Sequence, residues 1–438
     1  MHGIIKNTTP FTTANPDVEF DPYRCALSER LKIEIEEVIR QVRGYESYYK
    51  TRKRTRRPRD EKIFQETIAA LICDVIYRYL INPEQKIYLR LSHRYLGIRS
   101  RYRPVTLGKT VPSILEILSA PEIGFIHKET GSIREQWPGQ DKVAARATTI
   151  WPHVKLIRRI HASGITCKDF GRRADEEIIQ LKQTKQSRIE KGRLIEYQDT
   201  DTTHRIRSEV SLINHWLSCA DISCALVDKH IDSQDRHMRR IFNNNSFEQG
   251  GRLFGGFWQK MNKQYRSSIL IDNNPLVELD YGQMFLRLCY GMLRRQPPLG
   301  DLYDIPSLVE RGASRQGIKN VINASLFNSK PLVRLPAGTR QHFPKGLHYK
   351  DIIGDILEYH KSVAHLLFDN MGMHLMFVES QILINTLLTL IDKGITALPI
   401  HDAVLVAHKD QEITHQVMLD SFKSLGGTEG KVSIKRLF

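Results

Sequence analysis

Cysteine is scarce in this chain, and what there is lies scattered. The six cysteines stand at 25, 73, 167, 219, 224 and 289, and only Cys219 and Cys224 are close. Their spacing suits neither a zinc knuckle nor a redox pair, so a disulfide framework and a cysteine zinc site are set aside. All six are expected to be reduced thiols in the core. No run approaches the roughly 18 to 20 uninterrupted apolar residues of a membrane span. The start Met1-His2-Gly3-Ile4 lacks a signal-peptide pattern, and the expected location is the cytoplasm, away from any membrane. Tandem repeats and low-complexity tracts are absent too, which sets solenoids and biased linkers aside. The remaining shortage is of carboxylates: 49 Asp and Glu face 65 Lys and Arg, a net charge of +16. That balance favours a polyanionic partner, nucleic acid first and an anionic membrane second, or serves solubility through self-repulsion.

What is present is ordinary core material. The 438 residues are 41% hydrophobic, enough for about three packed domains. Residues 1–60 read as a loose arm, then an amphipathic helix near Leu27 to Val42, then Arg52, Lys53, Arg54, Arg56, Arg57 and Arg59. That run fits either a phosphate-contacting segment or a solvated linker. Residues 61–151 have the order of a winged helix: helical runs at Ile63 to Leu80, Leu89 to Leu96 and Thr106 to Leu118, then strands at Gly124 to Lys128 and Lys142 to Ile150 around a Gly131 to Gly139 turn. Lys109, Arg99, Arg101 and Arg103 would supply phosphate contacts, the alternative being a helical scaffold that touches nothing. Residues 152–244 read as polar helices crowded with Lys182, Lys185, Arg188, Lys191 and Arg193. They could track a duplex backbone or present a solvated face.

Beyond 245 the texture changes. Pro275 follows the turn-like Asp272-Asn273-Asn274, Leu276 to Leu279 read as a short buried strand, and Asp280 stands where that strand gives way to a helical run, Gln283 to Leu293. Ile269 to Ile271 could pair with it as a hairpin. Asp280 is either a helix N-cap or a carboxylate placed for chemistry. Ser314 to Asn328 read as a helix with Arg315, Lys319, Asn323 and Phe327 in one row, a cation pair that could grip adjacent phosphates or merely hydrate. Thr396 to Val406 are two apolar runs flanking His401-Asp402, a hairpin with a polar tip. Phosphoryl transfer to a 3′ hydroxyl calls for two divalent metals roughly 3.5 to 4 Å apart and therefore for carboxylates converging from separate strands, which Asp280 and Asp402 could supply. The competing reading of Asp402 is a turn cap beside a packed histidine.

Asp280-Tyr281 with Arg287, Arg315 with Lys319, and His401-Asp402, in that order, resemble motifs A, B and C of family A polymerases, the right-hand enzymes typified by bacterial DNA polymerase I, with phage-type single-subunit RNA polymerases as cousins. Gly251-Arg252-Leu253 and Arg266, fourteen residues ahead of Asp280, extend the similarity, which covers about residues 245–410. The resemblance implies an α+β right-hand polymerase: a palm at 245–438, fingers at about 297–345, thumb-like helices at 152–244, and the winged-helix-like module ahead of them. It implies two Mg2+ ions, with Mn2+ as a substitute, on Asp280 and Asp402. Arg315, Lys319, Tyr281, Phe285, Asn323 and Phe327 would meet the nucleotide, with Lys319 serving catalysis as well. Arg252, Arg266, Arg287, His401 and Gln381 would meet primer or template.

Departures qualify the match. Phe285 stands five residues after Asp280 where the family's DNA polymerases usually carry Glu; a ring there could still block a 2′ hydroxyl. Asn323 replaces an aromatic, Phe327 lacks a tyrosine hydroxyl, and Ala403 replaces an acid. Glu379 and Ser380 receive no role, and Asp17 and Glu19 imitate a D-x-E exonuclease pair without room for its sheet. The implied activity is template-directed nucleotidyl transfer, as a DNA polymerase without proofreading acting on DNA template, primer and nucleoside triphosphates, with RNA a further candidate. A primase or single-subunit RNA polymerase is the alternative enzyme, and a non-catalytic DNA-binding replication initiator the alternative of another class. Oligomeric state is left open.

Overall fold

The computed structural model describes residues 17–131, 146–185, 190, 192–225 and 231–437. The chain divides into two compact units, residues 1–177 and 178–438, each mixing helices with largely antiparallel sheet, an α+β organisation.

The first unit runs β1 (Val18–Glu19), β2 (Arg24–Ala26), α1 (Glu29–Tyr48), α2 (Pro58–Ile81), β3 (Ile87–Leu89), α3 (His93–Leu96), α4 (Val111–Ser119), β4 (Ile126–Glu129), β5 (Thr148–Pro152), α5 (Val154–Ala162) and β6 (Phe170–Arg172). Its main sheet has the order β1-β3-β5-β4, and β2 pairs with β6. Ser28 opens α1 by accepting the Leu31 N–H, after which Leu31, Ile35, Val38 and Val42 recur at helical spacing and are buried. In α2 the fully buried Asp74 accepts from Arg24 Nε at 3.1 Å and from the Asp21 N–H at 2.9 Å, the pairing a buried carboxylate requires. The helix expected from Leu89 starts only at His93. Ile87 and Leu89 are buried and Tyr88 half-buried, and the three bridge β1 and β5, so a period of two overrides the helical reading. β4 and β5 pair antiparallel, and the turn expected between them lies mostly outside the described residues.

The second unit runs β7 (Ile179–Leu181), α6 (Asp201–Cys219), β8 (Ile222–Cys224), β9 (Met238–Asn243), β10 (Ser246–Gly255), α7 (Phe257–Lys260), β11 (Ile269–Ile271), β12 (Asn274–Tyr281), α8 (Met284–Met292), α9 (Pro306–Val309), α10 (Arg315–Leu326), α11 (Tyr349–Tyr359), α12 (Gly372–Asp392), β13 (Ala397–Ile400), β14 (Ala403–Ala407), α13 (Gln411–Gly426) and β15 (Val432–Arg436). The stretch 152–244, expected to be helical, contains strands as well as α6. Met238 to Asn243 alternate buried and half-buried positions and pair with β10 and β7. Arg188 and Lys191 of that stretch lie outside the described residues.

The central sheet has the order β13-β14-β12-β11-β8, with β15 also on β12. Tyr281 places one face of β12 on α12 and α13, because its hydroxyl meets the Met418 carbonyl at 2.8 Å and Thr386 at 3.2 Å. Leu276, Val277 and Leu279 are almost wholly buried, worth about 1.5–3 kcal/mol each against exposure. Side chains alternate along a strand, so Glu278 and Asp280 share the face opposite Tyr281. Among the described residues α12 is the one helix long and apolar enough by length and composition to cross a membrane, although His374, Glu379, Gln381 and Asn385 interrupt its apolar sequence, and 50% of its most apolar window is buried. It packs on β10, α13 and α8, as a core helix does.

Candidate active site

Two carboxylates meet at the end of this sheet. β12 and β14 pair with Asp280 opposite Ala403, and β13 and β14 pair with Ile400 opposite Ala403. Only His401 and Asp402 remain to turn the hairpin, which sets Asp402 beside Asp280, and the Tyr281 N–H donates to the Asp402 carbonyl at 3.3 Å. His401 takes a left-handed backbone, φ 56°, a conformation non-glycine residues hold at a cost of about 1–3 kcal/mol and keep mainly where the surroundings enforce it. Among the described residues neither carboxylate receives a hydrogen bond or an ion pair. Burial first, then the charges of Asp402 and Glu278, push the Asp280 carboxyl up to about 6, while Lys319 and Lys263 pull against them. An N-cap would instead spend its oxygen on the next helix. α8 begins after Gln283, and no side chain caps it.

Cations ring the pair, and most are already held. Lys263 donates to Glu278 at 3.0 Å, and Arg266 donates to the Trp258 carbonyl at 3.1 Å with Glu278 at 3.9 Å. Arg252 grips Glu379 with both fork nitrogens, at 2.6 and 3.0 Å. Burial works against the charge of Arg252, but Glu379 and then Asp402 hold its pKa above the ordinary guanidinium value. Glu379 is 1% exposed, and among the described residues that bidentate contact is what compensates it in the interior. Arg315 donates to Asp301 at 2.6 Å and lies over the Tyr303 ring at 5.2 Å. Lys319, half-buried, has no ion pair among the described residues and is the largest cationic influence on Asp280.

The backbone before Arg252 is built to aim it. β10 carries irregularities between Ser246 and Gly250 and between Gly250 and Arg252. Gly250 and Gly251 both have positive φ, 80° and 79°, and a Cβ on Gly251 would stand 2.8 Å from Ser380 Oγ and 2.9 Å from the Phe242 ring. Ser380 in turn accepts from the wholly buried Arg240 at 3.0 Å, while Arg240 Nε donates to the Gly251 carbonyl at 2.8 Å. These contacts fasten β10 to α12 and so set Arg252 against Glu379.

The other expected residues divide. Phe285 and Phe327 pack together, ring centres 5.9 Å apart, and Phe327 is seated over Gly372, where a Cβ would lie 2.4 Å from its ring. Asn323 stands one turn after Lys319 with a buried Oδ1 that no described group satisfies. His401, held low by burial and by Arg252 and Arg266, leans on Phe254 at 5.9 Å. Gln381 is half-buried on α12. Tyr281 is not brought to the Asp280 face, since its ring is buried on α12 and α13. Arg287 is buried on α8 and donates to the Glu429 carbonyl at 3.1 Å.

Glu278, Glu379, Asp301 and Lys263 belong to this cluster and were not assigned from the sequence. The signal for Glu278 was its place two residues before Asp280 on a strand. For Glu379 it was a lone carboxylate in the middle of an apolar helix. Among the described residues no group of three or more His, Cys, Asp or Glu side chains is gathered to hold a metal. Two uncompensated carboxylates still fit a hard divalent ion, because magnesium is commonly held by one or two carboxylates with water and substrate phosphates completing its shell.

No family model and no curated protein matches the chain. Among solved structures it is similar to the POL domain of Pol1 from M. smegmatis in complex with DNA primer-template and dNTP, at a TM-score of 0.28 and 12% identity. The match spans 53% of this chain and 51% of that one, about half the length of each.

Proposed function

We propose that residues 178–438 carry a template-directed nucleotidyltransferase, a DNA polymerase without proofreading, with Asp280 and Asp402 at its centre. One observation carries the reading: two carboxylates on adjoining strand ends, with no partner among the described residues, inside a rim of cations. Carboxylates left so close and unpaired weaken the fold unless a cation joins them. Asp280 and Asp402 would hold the divalent ions, which on binding acidify a 3′ hydroxyl and neutralise charge on the triphosphate.

The chain's own residues would do the rest. Lys319 and Arg315, one turn apart on α10, would bind the triphosphate, Arg315 leaving Asp301 for the stronger anion. The 3′ oxygen then bonds to the α-phosphorus as the bond to the bridging oxygen breaks and pyrophosphate leaves. Phe285 and Phe327 form an aromatic wall suited to excluding a 2′ hydroxyl. Arg252, His401 and Gln381 would face the primer end, and Arg266 would act from the side of Glu278. In this reading the β12–β14 sheet is the palm, residues 297–345 the fingers, and residues 61–151 an accessory nucleic-acid module.

Primer extension with Mg2+ on a primed template tests it, dNTPs and NTPs being offered in turn. Incorporation of dNMP that disappears in Asp402→Ala supports the assignment, and incorporation that survives the substitution overturns it. Product made from NTPs on unprimed template would move the reading to a primase. Duplex binding without incorporation would move it to an initiator.

A further inference from the structure

The cationic run at 52–59 is not absorbed by the carboxylate site, and its surroundings point to a ligand. It joins α1 to α2. Of its six cations only Arg56 is used among the described residues: it is half-buried, donates to Glu46 at 2.6 and 2.7 Å, and covers the Phe64 ring at 3.4 Å. Glu61 is likewise occupied, by Arg43 at 2.9 Å and Arg56 at 3.5 Å. Arg52, Lys53, Arg54, Arg57 and Arg59 are exposed and have no ion pair among the described residues. Of the carboxylates beside the run, Glu46 and Glu61 are taken by Arg56 and Arg43, and exposed Asp60 alone stands among the described residues against five exposed cations.

Aromatic rings lie beside these charges. Tyr45, Tyr48 and Tyr49 cluster at the end of α1, with centroid separations of 4.4 Å for Tyr45 with Tyr49 and 4.9 Å for Tyr48 with Tyr49. Tyr48 is 80% exposed and Tyr49 46%, although nothing in the unit's core requires a ring in water at either position. Between residues 43 and 60 these two are the exposed large apolar side chains, so the surface offers flat rings and cations but no aliphatic group for insertion into lipid.

We infer that the α1–α2 junction is a docking surface for single-stranded nucleic acid, its phosphates held by the five unpaired cations and a base stacked on Tyr48. The charge complementarity selects a polyanion, and the exposed ring selects one whose bases are free to stack, which a duplex does not offer. The inference concerns residues 1–177 and does not depend on the nucleotidyltransferase reading.

Fluorescence anisotropy of the full chain with a labelled mixed-sequence single-stranded DNA, repeated across salt concentrations, tests it. Replacing Arg52, Lys53, Arg54, Arg57 and Arg59 together by Gln should lower the slope of log affinity against log salt by about 3.5, from about 0.7 per phosphate. Tyr48→Ala should weaken binding roughly five- to hundred-fold with the slope unchanged, and Tyr48→Phe should restore it. Circular dichroism confirms that each variant is folded, since all six positions are exposed. A slope unaltered by the five-residue change, no binding by the parent chain, or binding of phosphatidylserine vesicles in preference to the oligonucleotide would each overturn the inference.

Discussion

Asp280→Asn should stabilise the protein while disabling its site. In the divalent-free protein the Asp280 carboxyl rises from its ordinary 3.8 to about 6, so the folded chain binds that proton more tightly than the unfolded chain does. The sign of the linkage follows. This group's contribution is most favourable below about pH 4, stability falls as pH rises towards about 6, and the loss is complete above that. The full displacement corresponds to about 3 kcal/mol, trimmed to about 2 kcal/mol because the carboxylate faces solvent on its open side. The amide has nearly the same volume, carries no charge against Asp402 and Glu278, and breaks no side-chain hydrogen bond. At pH 8 without divalent ions the variant should therefore gain about 2 kcal/mol, equivalent to roughly thirtyfold slower hydrogen exchange of the β12 and β14 amides if those amides open with the whole unit. At pH 4 the gain should vanish. Magnesium should protect the parent more than the variant, since a bound cation stabilises only the state that holds it. A variant less stable than its parent at pH 8, or a gain equal at both pH values, would refute the reasoning.

Three further outcomes follow from the same geometry. Glu379→Ala leaves the half-buried guanidinium of Arg252 without its fork partner and should cost about 1.5–3 kcal/mol in urea unfolding, whereas a loss below about 0.5 kcal/mol would mean that the pair contributes nothing to the fold. Gly251→Ala forces a Cβ into Ser380 and Phe242 at positive φ and should cost about 2–5 kcal/mol, read by the same unfolding curves, whereas Gly44→Ala, inside α1 where a Cβ meets nothing within 4 Å, should gain about 0.5–1 kcal/mol. Phe285→Ala opens the wall shared with Phe327 and should raise ribonucleotide use relative to deoxyribonucleotide use in single-nucleotide extension; an unchanged ratio would remove Phe285 from sugar selection.

The elements nearest Asp280 were legible because their signals are local. The turn at 272–274, the alternation that ends at Tyr281 and the two apolar runs around His401-Asp402 read directly as β11, β12, β13 and β14, and the row from Arg315 reads as α10. The counter-charges were not legible. Glu379 lies 127 residues from Arg252, and only the packing of α12 on β10 brings them together. Tyr281 and Arg287, which the resemblance implied for nucleotide and for primer or template, are turned into the interior by strand alternation and by the helix that follows. The strands between 152 and 244 were hidden by charge, since Arg239 and Arg240 make a half-buried strand look like a solvated helix, and only the buried ladder on β10 reveals its period.

In the proposed reaction Asp280 and Asp402 act together on a triphosphate. Single-turnover addition of one dNMP to a primed template, measured with Mg2+ for the parent, Asp280→Asn and Asp402→Asn, tests it most directly. Each amide should slow incorporation by about a thousandfold or more, since each removes transition-state charge stabilisation of about 4 kcal/mol, while hydrogen exchange reports an intact fold. Incorporation within about tenfold of the parent in either variant, with the fold preserved, would contradict it.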